Sequence, residues 1–113
     1  MKSYTYDSAH DNCKYEIKVG ESAQENWDLI QTSEQNDVWF HVKNNPSCHV
    51  VLTVQPKKGP HKSVINFCAA LCKEGSKQKG NNNIIVIYTE IKNIKKGEKV
   101  GSVTTKSIRE VRL

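Results

Sequence analysis

The side chains of this 113-residue chain best able to do chemistry beyond plain charge are four histidines, four cysteines and two tryptophans. Cys48 and His49 are neighbours and have the residue types of a thiol nucleophile and its base. Adjacent residues on a strand point to opposite faces, so the two do not form a catalytic pair and read as structural. His41 and His49 approach each other across the turn between them, on the face that carries Trp39. Two histidines without a further ligand make a poor metal site, and no metal is expected. Cys68 and Cys72 recur at helical spacing, where a zinc site would want C-x-x-C and a second such pair. They read as small buried hydrophobes. No apolar leader precedes a small-residue cleavage site, so Cys13 and Cys48 are also expected as free thiols in a cytoplasmic or nuclear protein. G-x-S-x-G, a glycine-rich phosphate loop and H-E-x-x-H are all absent. The expectation is therefore a non-enzymatic protein without a cofactor.

Charge is the stronger signal. Residues 1–56 hold four Lys against eight Asp or Glu, a net charge of −4. Residues 57–113 hold eleven Lys and two Arg against four Glu, a net charge of +9. An asymmetry of this size suggests a face for a polyanion, with a solubilising lysine surface as the competing reading. The cations fall where loops and strand ends are expected: Lys57 and Lys58; Lys77 and Lys79; Lys92, Lys95, Lys96 and Lys99; then Lys106, Arg109 and Arg112. Lysine is a flexible point charge suited to phosphate, and two arginines are few for bidentate reading of bases. Binding set by phosphates with little sequence preference follows. Trp39 is the aromatic best placed to stack on a base, and packing beneath a helix is the competing reading.

These residues need elements to position them. Residues 4–7 and 13–19 alternate with period two and predict a hairpin. Ser22-Ala23-Gln24-Glu25 fits a capping box, opening a helix to about Thr32 with Ala23, Trp27 and Ile30 on one face. Val38 to Lys43 predicts a strand with Val38, Phe40 and Val42 on one face and Trp39, His41 and Lys43 on the other. Asn44-Asn45-Pro46-Ser47 is turn chemistry, and His49 to Gln55 returns as a second strand. Val64, Phe67, Cys68, Leu71 and Cys72 mark a helix ending near Gly75. Ile84 to Tyr88 predicts a strand buried on both faces at the sheet centre, and two short strands, 101–104 and 107–113, close the chain. The class is α+β: a mixed, largely antiparallel sheet with two helices forming a single layer on it, in one domain over residues 1–113. No apolar run is longer than six residues, with Ile84 to Tyr88 among the longest, so no membrane insertion is expected.

Asp37-Val38-Trp39-Phe40-His41-Val42-Lys43, followed by Pro46-Ser47-Cys48-His49-Val50-Val51-Leu52, resembles the NFACT-R domain of ribosome-associated quality-control factors. The resemblance continues through Ala69-Ala70, Asn83 to Thr89, Asn93-Ile94-Lys95-Lys96 and Val100-Gly101. After the first hairpin, Gly20 and Asn26 match the family pattern, while Glu21 and Gln24 stand where relatives are often basic. The resemblance implies an RNA-binding module acting on tRNA or ribosomal RNA in translation, near the ribosome. Lys43, Lys77, Lys79, Lys92, Lys95, Lys96, Lys99 and Arg109 are then expected to hold phosphates, beside His41 and His49. DNA stays open as a partner, because phosphate contacts hardly distinguish the two. The alternative is a protein-interaction adaptor using the basic face or a sheet edge.

Overall fold

A computed structural model describes residues 1–54, 60–77 and 80–113. Period-two alternation builds β1 (Lys2–Ser8) and β2 (Cys13–Val19), paired antiparallel, with Tyr15, Ile17 and Val19 inward and Lys14, Glu16 and Lys18 outward. In α1 (Ala23–Thr32), the Ser22 hydroxyl accepts the Glu25 N–H, and the Glu25 carboxylate reaches back to the N–H of Glu21. β3 (Val38–Val42) and β4 (Val50–Leu52) follow, then α2 (Lys62–Glu74), which stops at Gly75. β5 (Ile85–Glu90) leads through a 3-10 turn, Ile91–Asn93, into β6 (Ile94–Lys96), β7 (Val103–Thr105) and β8 (Arg109–Arg112).

The main sheet has the order β1-β2-β4-β3-β5-β8 with every neighbouring pair antiparallel, and β6 and β7 form a separate two-stranded ribbon. The α+β class expected from the sequence is what forms. The helices, however, do not make a single layer. Val38, Phe40, Val42, Val50 and Leu52 pack under Val64, Cys68, Ala69 and Cys72 of α2. Trp39 and Val51 face the other way and are covered by Leu29 and Ile30 of α1 together with Ile91 and Ile94. A pair of central strands that is apolar on both faces needs a cover on each, so the two helices sit on opposite sides.

Three further expectations shift. β5 is not central: it lies between β3 and the edge strand β8, and Ile85 and Ile87 are only half-buried. The strand expected over 49–55 is shorter: Thr53 N–H still bonds to Glu16 O of β2, but Val54 N–H turns to the Asp37 side chain, at Oδ1; Gln55 lies outside the described residues. The strand expected over 101–104 forms at 103–105 and pairs with β6, not with the sheet. Cys68 and Cys72 are buried core thiols, as their spacing implies, and all four cysteines are free. Among the described residues no helix is long and apolar enough to cross a membrane.

Candidate functional site

β2, β3, β4 and both helices converge at one end of the sheet. There Gly20 N–H donates to His49 O at 3.0 Å, and His49 N–H donates to Asn26 Oδ1 at 3.3 Å, which ties the start of α1 to the start of β4. A Cβ on Gly20 would lie 2.3 Å from that Asn26 oxygen, so the close approach requires glycine. An open cleft of about 870 Å³ lies at this junction. Its floor includes His41, Ser47, Cys48 and His49. Lys2, Glu74 and Lys77 line it on the α2 side, Glu21 and Ser22 at the start of α1.

Trp39 organises the floor. It is 1% exposed, and its Nε1–H donates to His49 Nδ1 at 3.0 Å. An imidazole nitrogen that accepts carries no proton, so the proton of neutral His49 sits on Nε2. The His41 ring stacks on Trp39 at 5.7 Å and 9°, and stands perpendicular to His49 at 5.1 Å. His41 Nδ1 lies 2.6 Å from the Val42 carbonyl, which can only accept, so this nitrogen holds the proton and Nε2 keeps its lone pair. Burial pulls the pKa of His49 down to about 3, and repulsion from His41, once that ring is protonated at lower pH, adds to the depression. Burial lowers His41 as well, partly opposed by the Val42 carbonyl. Both rings are therefore neutral at pH 7. Cys48 faces away from this pair, with its thiol directed at the Leu71 carbonyl at 3.8 Å, so Cys48 and His49 make no nucleophile–base couple.

The structure gathers only part of the expected basic set at the cleft. His41, His49 and Lys77 line it. Lys43 lies just beyond β3 and pairs with Glu110 at 2.6 Å. Arg109 pairs in register with Tyr88 on the α2 face of the far edge, away from the cleft. Lys79, like Lys57 and Lys58, lies outside the described residues. Lys92, Lys95, Lys96 and Lys99 belong to the turn and the β6–β7 ribbon, where Lys92 meets Glu90 at 3.6 Å and Lys95 is exposed.

That ribbon is clamped onto α1. Trp27 Nε1–H donates to Ser102 O at 2.8 Å, and Lys96 lies 5.2 Å over the Trp27 ring while donating to Gln31 at 2.8 Å. Gly101 takes φ +88, and a Cβ there would lie 2.8 Å from that of Ala23, so the ribbon turn lies directly on the helix. The face of α1 carrying Ala23 and Trp27 thus meets the ribbon, while Leu29 and Ile30 enter the core. Val100 and Gly101 consequently form part of the cleft wall, and Lys99, exposed, is next in the chain. Sequence reasoning alone passes over Lys2. Its only signal is the β1–β2 register, which sets it opposite Val19.

An antiparallel α+β sheet domain with an open cleft at one sheet end and a lysine ribbon as part of its wall is the class that the fold and site define. The chain belongs to the NFACT protein RNA binding domain family, whose profile matches residues 2–107. It is similar to coiled-coil domain-containing protein 25 of Mus musculus, 38% identical over 102 residues that cover 85% of this chain and 48% of that protein. It is also similar to the Rqc2 homolog RqcH of Bacillus subtilis, 33% identical over 91 residues, covering 78% of this chain and 15% of that one. The solved structure of the C-terminal of the fibronectin/fibrinogen-binding protein from Streptococcus suis superposes on 100% of this chain and 45% of its own, with TM-score 0.85 and 29% identity. The chain spans about half the length of the mouse relative.

Proposed function

We propose that this domain binds RNA without catalysing a reaction, in the cytoplasm, in the context of translation and ribosome-associated quality control, with tRNA or ribosomal RNA as the natural ligands. The observation that carries the reading is the continuity of the lysine ribbon with the cleft. Lys99 sits at the ribbon turn on the α1 side, and Lys2 and Lys77 line the cleft on the α2 side. A phosphate backbone crossing this end of the sheet meets cations on both sides. Lysine contacts of this kind give affinity without reading sequence. Family membership, which carries an RNA-binding description, supports the same ligand class.

Replacing Lys77, Lys95 and Lys99 together by Glu is the test, because all three leave the Lys96–Trp27 clamp intact. Fluorescence anisotropy with labelled tRNA is expected to show binding at least tenfold weaker. The slope of log K against log salt should shrink by roughly 0.7 to 0.9 for each phosphate that the variant no longer neutralises. Unchanged affinity and slope would contradict the reading, and DNA of equal length measures how far the site prefers RNA.

The open edge of β1, seven residues long, favours one second reading, in which a partner protein adds a strand. It predicts a protein partner whose capture survives nuclease treatment.

A further inference from the structure

The two histidines on the cleft floor have the wrong chemistry for phosphate and the right chemistry for a base. Trp39 fixes the proton of His49 on Nε2, and the Val42 carbonyl fixes that of His41 on Nδ1. The pair therefore presents one N–H donor, His49 Nε2, and one lone-pair acceptor, His41 Nε2, from perpendicular rings whose centroids lie 5.1 Å apart. No hydrogen-bond partner among the described residues meets either Nε2 atom, and no buried side-chain polar atom there is left unpaired, so both atoms keep access to solvent; both residues line the cleft, His49 with only 3% of its surface exposed.

Phosphodiester oxygens only accept. A phosphate on this floor would satisfy His49 and set its negative charge against the lone pair of His41. The pairing edge of every nucleobase instead offers a donor and an acceptor side by side, the complement of this pair. In a duplex that edge is already occupied.

We propose that His41 and His49 bind the pairing edge of one unstacked nucleobase in single-stranded RNA, His49 donating and His41 accepting, while the lysines at the cleft margin hold the flanking phosphates. The inference rests on the RNA-binding reading and adds to it a division of labour. The floor is a neutral hydrogen-bonding subsite that recognises unpaired nucleotides, and the salt-dependent affinity comes from Lys2, Lys77 and Lys99.

Anisotropy with three labelled probes separates the two levels: a short mixed-sequence oligoribonucleotide, the same sequence as a duplex, and an abasic oligoribonucleotide of equal length. The unpaired probe should bind about tenfold more tightly than either of the others, the worth of one to two net hydrogen bonds, with the same salt slope as the abasic strand. His41→Phe keeps the ring on Trp39 and deletes the acceptor. It should weaken binding of the unpaired probe about tenfold and leave the abasic probe unaffected. His49→Gln retains an amide oxygen for Trp39 and an N–H for the cleft, and should lose less. Equal affinity for unpaired, duplex and abasic probes would overturn the base subsite while leaving RNA binding standing. A smaller salt slope in His41→Phe would also overturn it, since that marks a charge contact. Failure of the wild-type protein to bind any of the three would overturn both levels.

Discussion

Replacing Trp39 by alanine destabilises the domain by about 3–5 kcal/mol, the cost of emptying a buried indole site. The indole packs in the second core with Leu29 and Ile30 of α1, Val51 of β4, Ile91 of the 3-10 turn and Ile94 of β6. It also carries the donor that pairs with His49 Nδ1. Trp39→Phe separates these contributions. It fills most of the volume but strands the His49 nitrogen, at a cost of about 1–3 kcal/mol for a buried acceptor left without its donor. Urea denaturation of the three proteins measures both. A loss below about 1 kcal/mol in Trp39→Ala, far under the usual range for such a site, would mean that α1 and the ribbon do not depend on this side chain. The larger loss should be accompanied by weaker RNA binding, because His41 loses the ring on which it stacks.

Stability should fall steadily as the pH drops from 6.5 toward 5. Folded His49 does not take up a proton until about pH 3, against an ordinary value of 6.5. Below pH 6.5 the unfolded chain binds that proton and the folded one does not, so the linkage favours unfolding. The penalty is absent above pH 6.5 and grows by at most about 1.4 kcal/mol for each pH unit below it. Burial of His41 acts in the same direction. The carboxylates of Asp11, held low by the His61 N–H and the Tyr15 hydroxyl, and Glu25, held low by the Glu21 N–H and the terminal amine, lose their protection only at still lower pH. The interval from 5 to 6.5 therefore isolates the histidines. Urea midpoints at pH 7.5, 6.0 and 5.0 should decline for the wild type and decline less for His49→Gln. A wild-type midpoint that is constant over this range would contradict a buried neutral His49.

Much of this was legible in the residues, for identifiable reasons. β3 is β-branched and aromatic, so strand parity assigned Val38, Phe40 and Val42 to one face and Trp39, His41 and Lys43 to the other without a partner strand in view. Ser22 and Glu25 announced α1, and the helical recurrence of Val64, Cys68 and Cys72 announced α2. The opposed placement of the helices was not legible, because a tryptophan on a strand serves equally as a stacking platform or as core, and only the position of Leu29 and Ile30 decides. β6 was hidden by its composition, since Lys95 and Lys96 are exposed and Gly97 suggests a loop. Ile84 to Tyr88 reads as doubly buried, yet the second neighbour of β5 is the short edge strand β8, which leaves Ile85 and Ile87 half open.

The site divides along the same line. His41 and His49 follow from strand parity plus a turn, both local. Lys2 and Lys77 reach the same cleft only through strand order and the end of α2, both tertiary. Charge counting located a basic half-chain but not its geometry: Lys92 is paired with Glu90, and Arg109 sits on β8 at the far edge of the sheet.

Amide chemical-shift mapping of the ¹⁵N-labelled protein during titration with a short unpaired oligoribonucleotide tests the central claim most directly. The shifts should concentrate on Gly20, Asn26, His41, His49, Lys77 and Gly101, the residues that the fold assembles around one cleft. Shifts confined to the β1 edge or to the α2 face of β8, with these six amides unmoved, would contradict it.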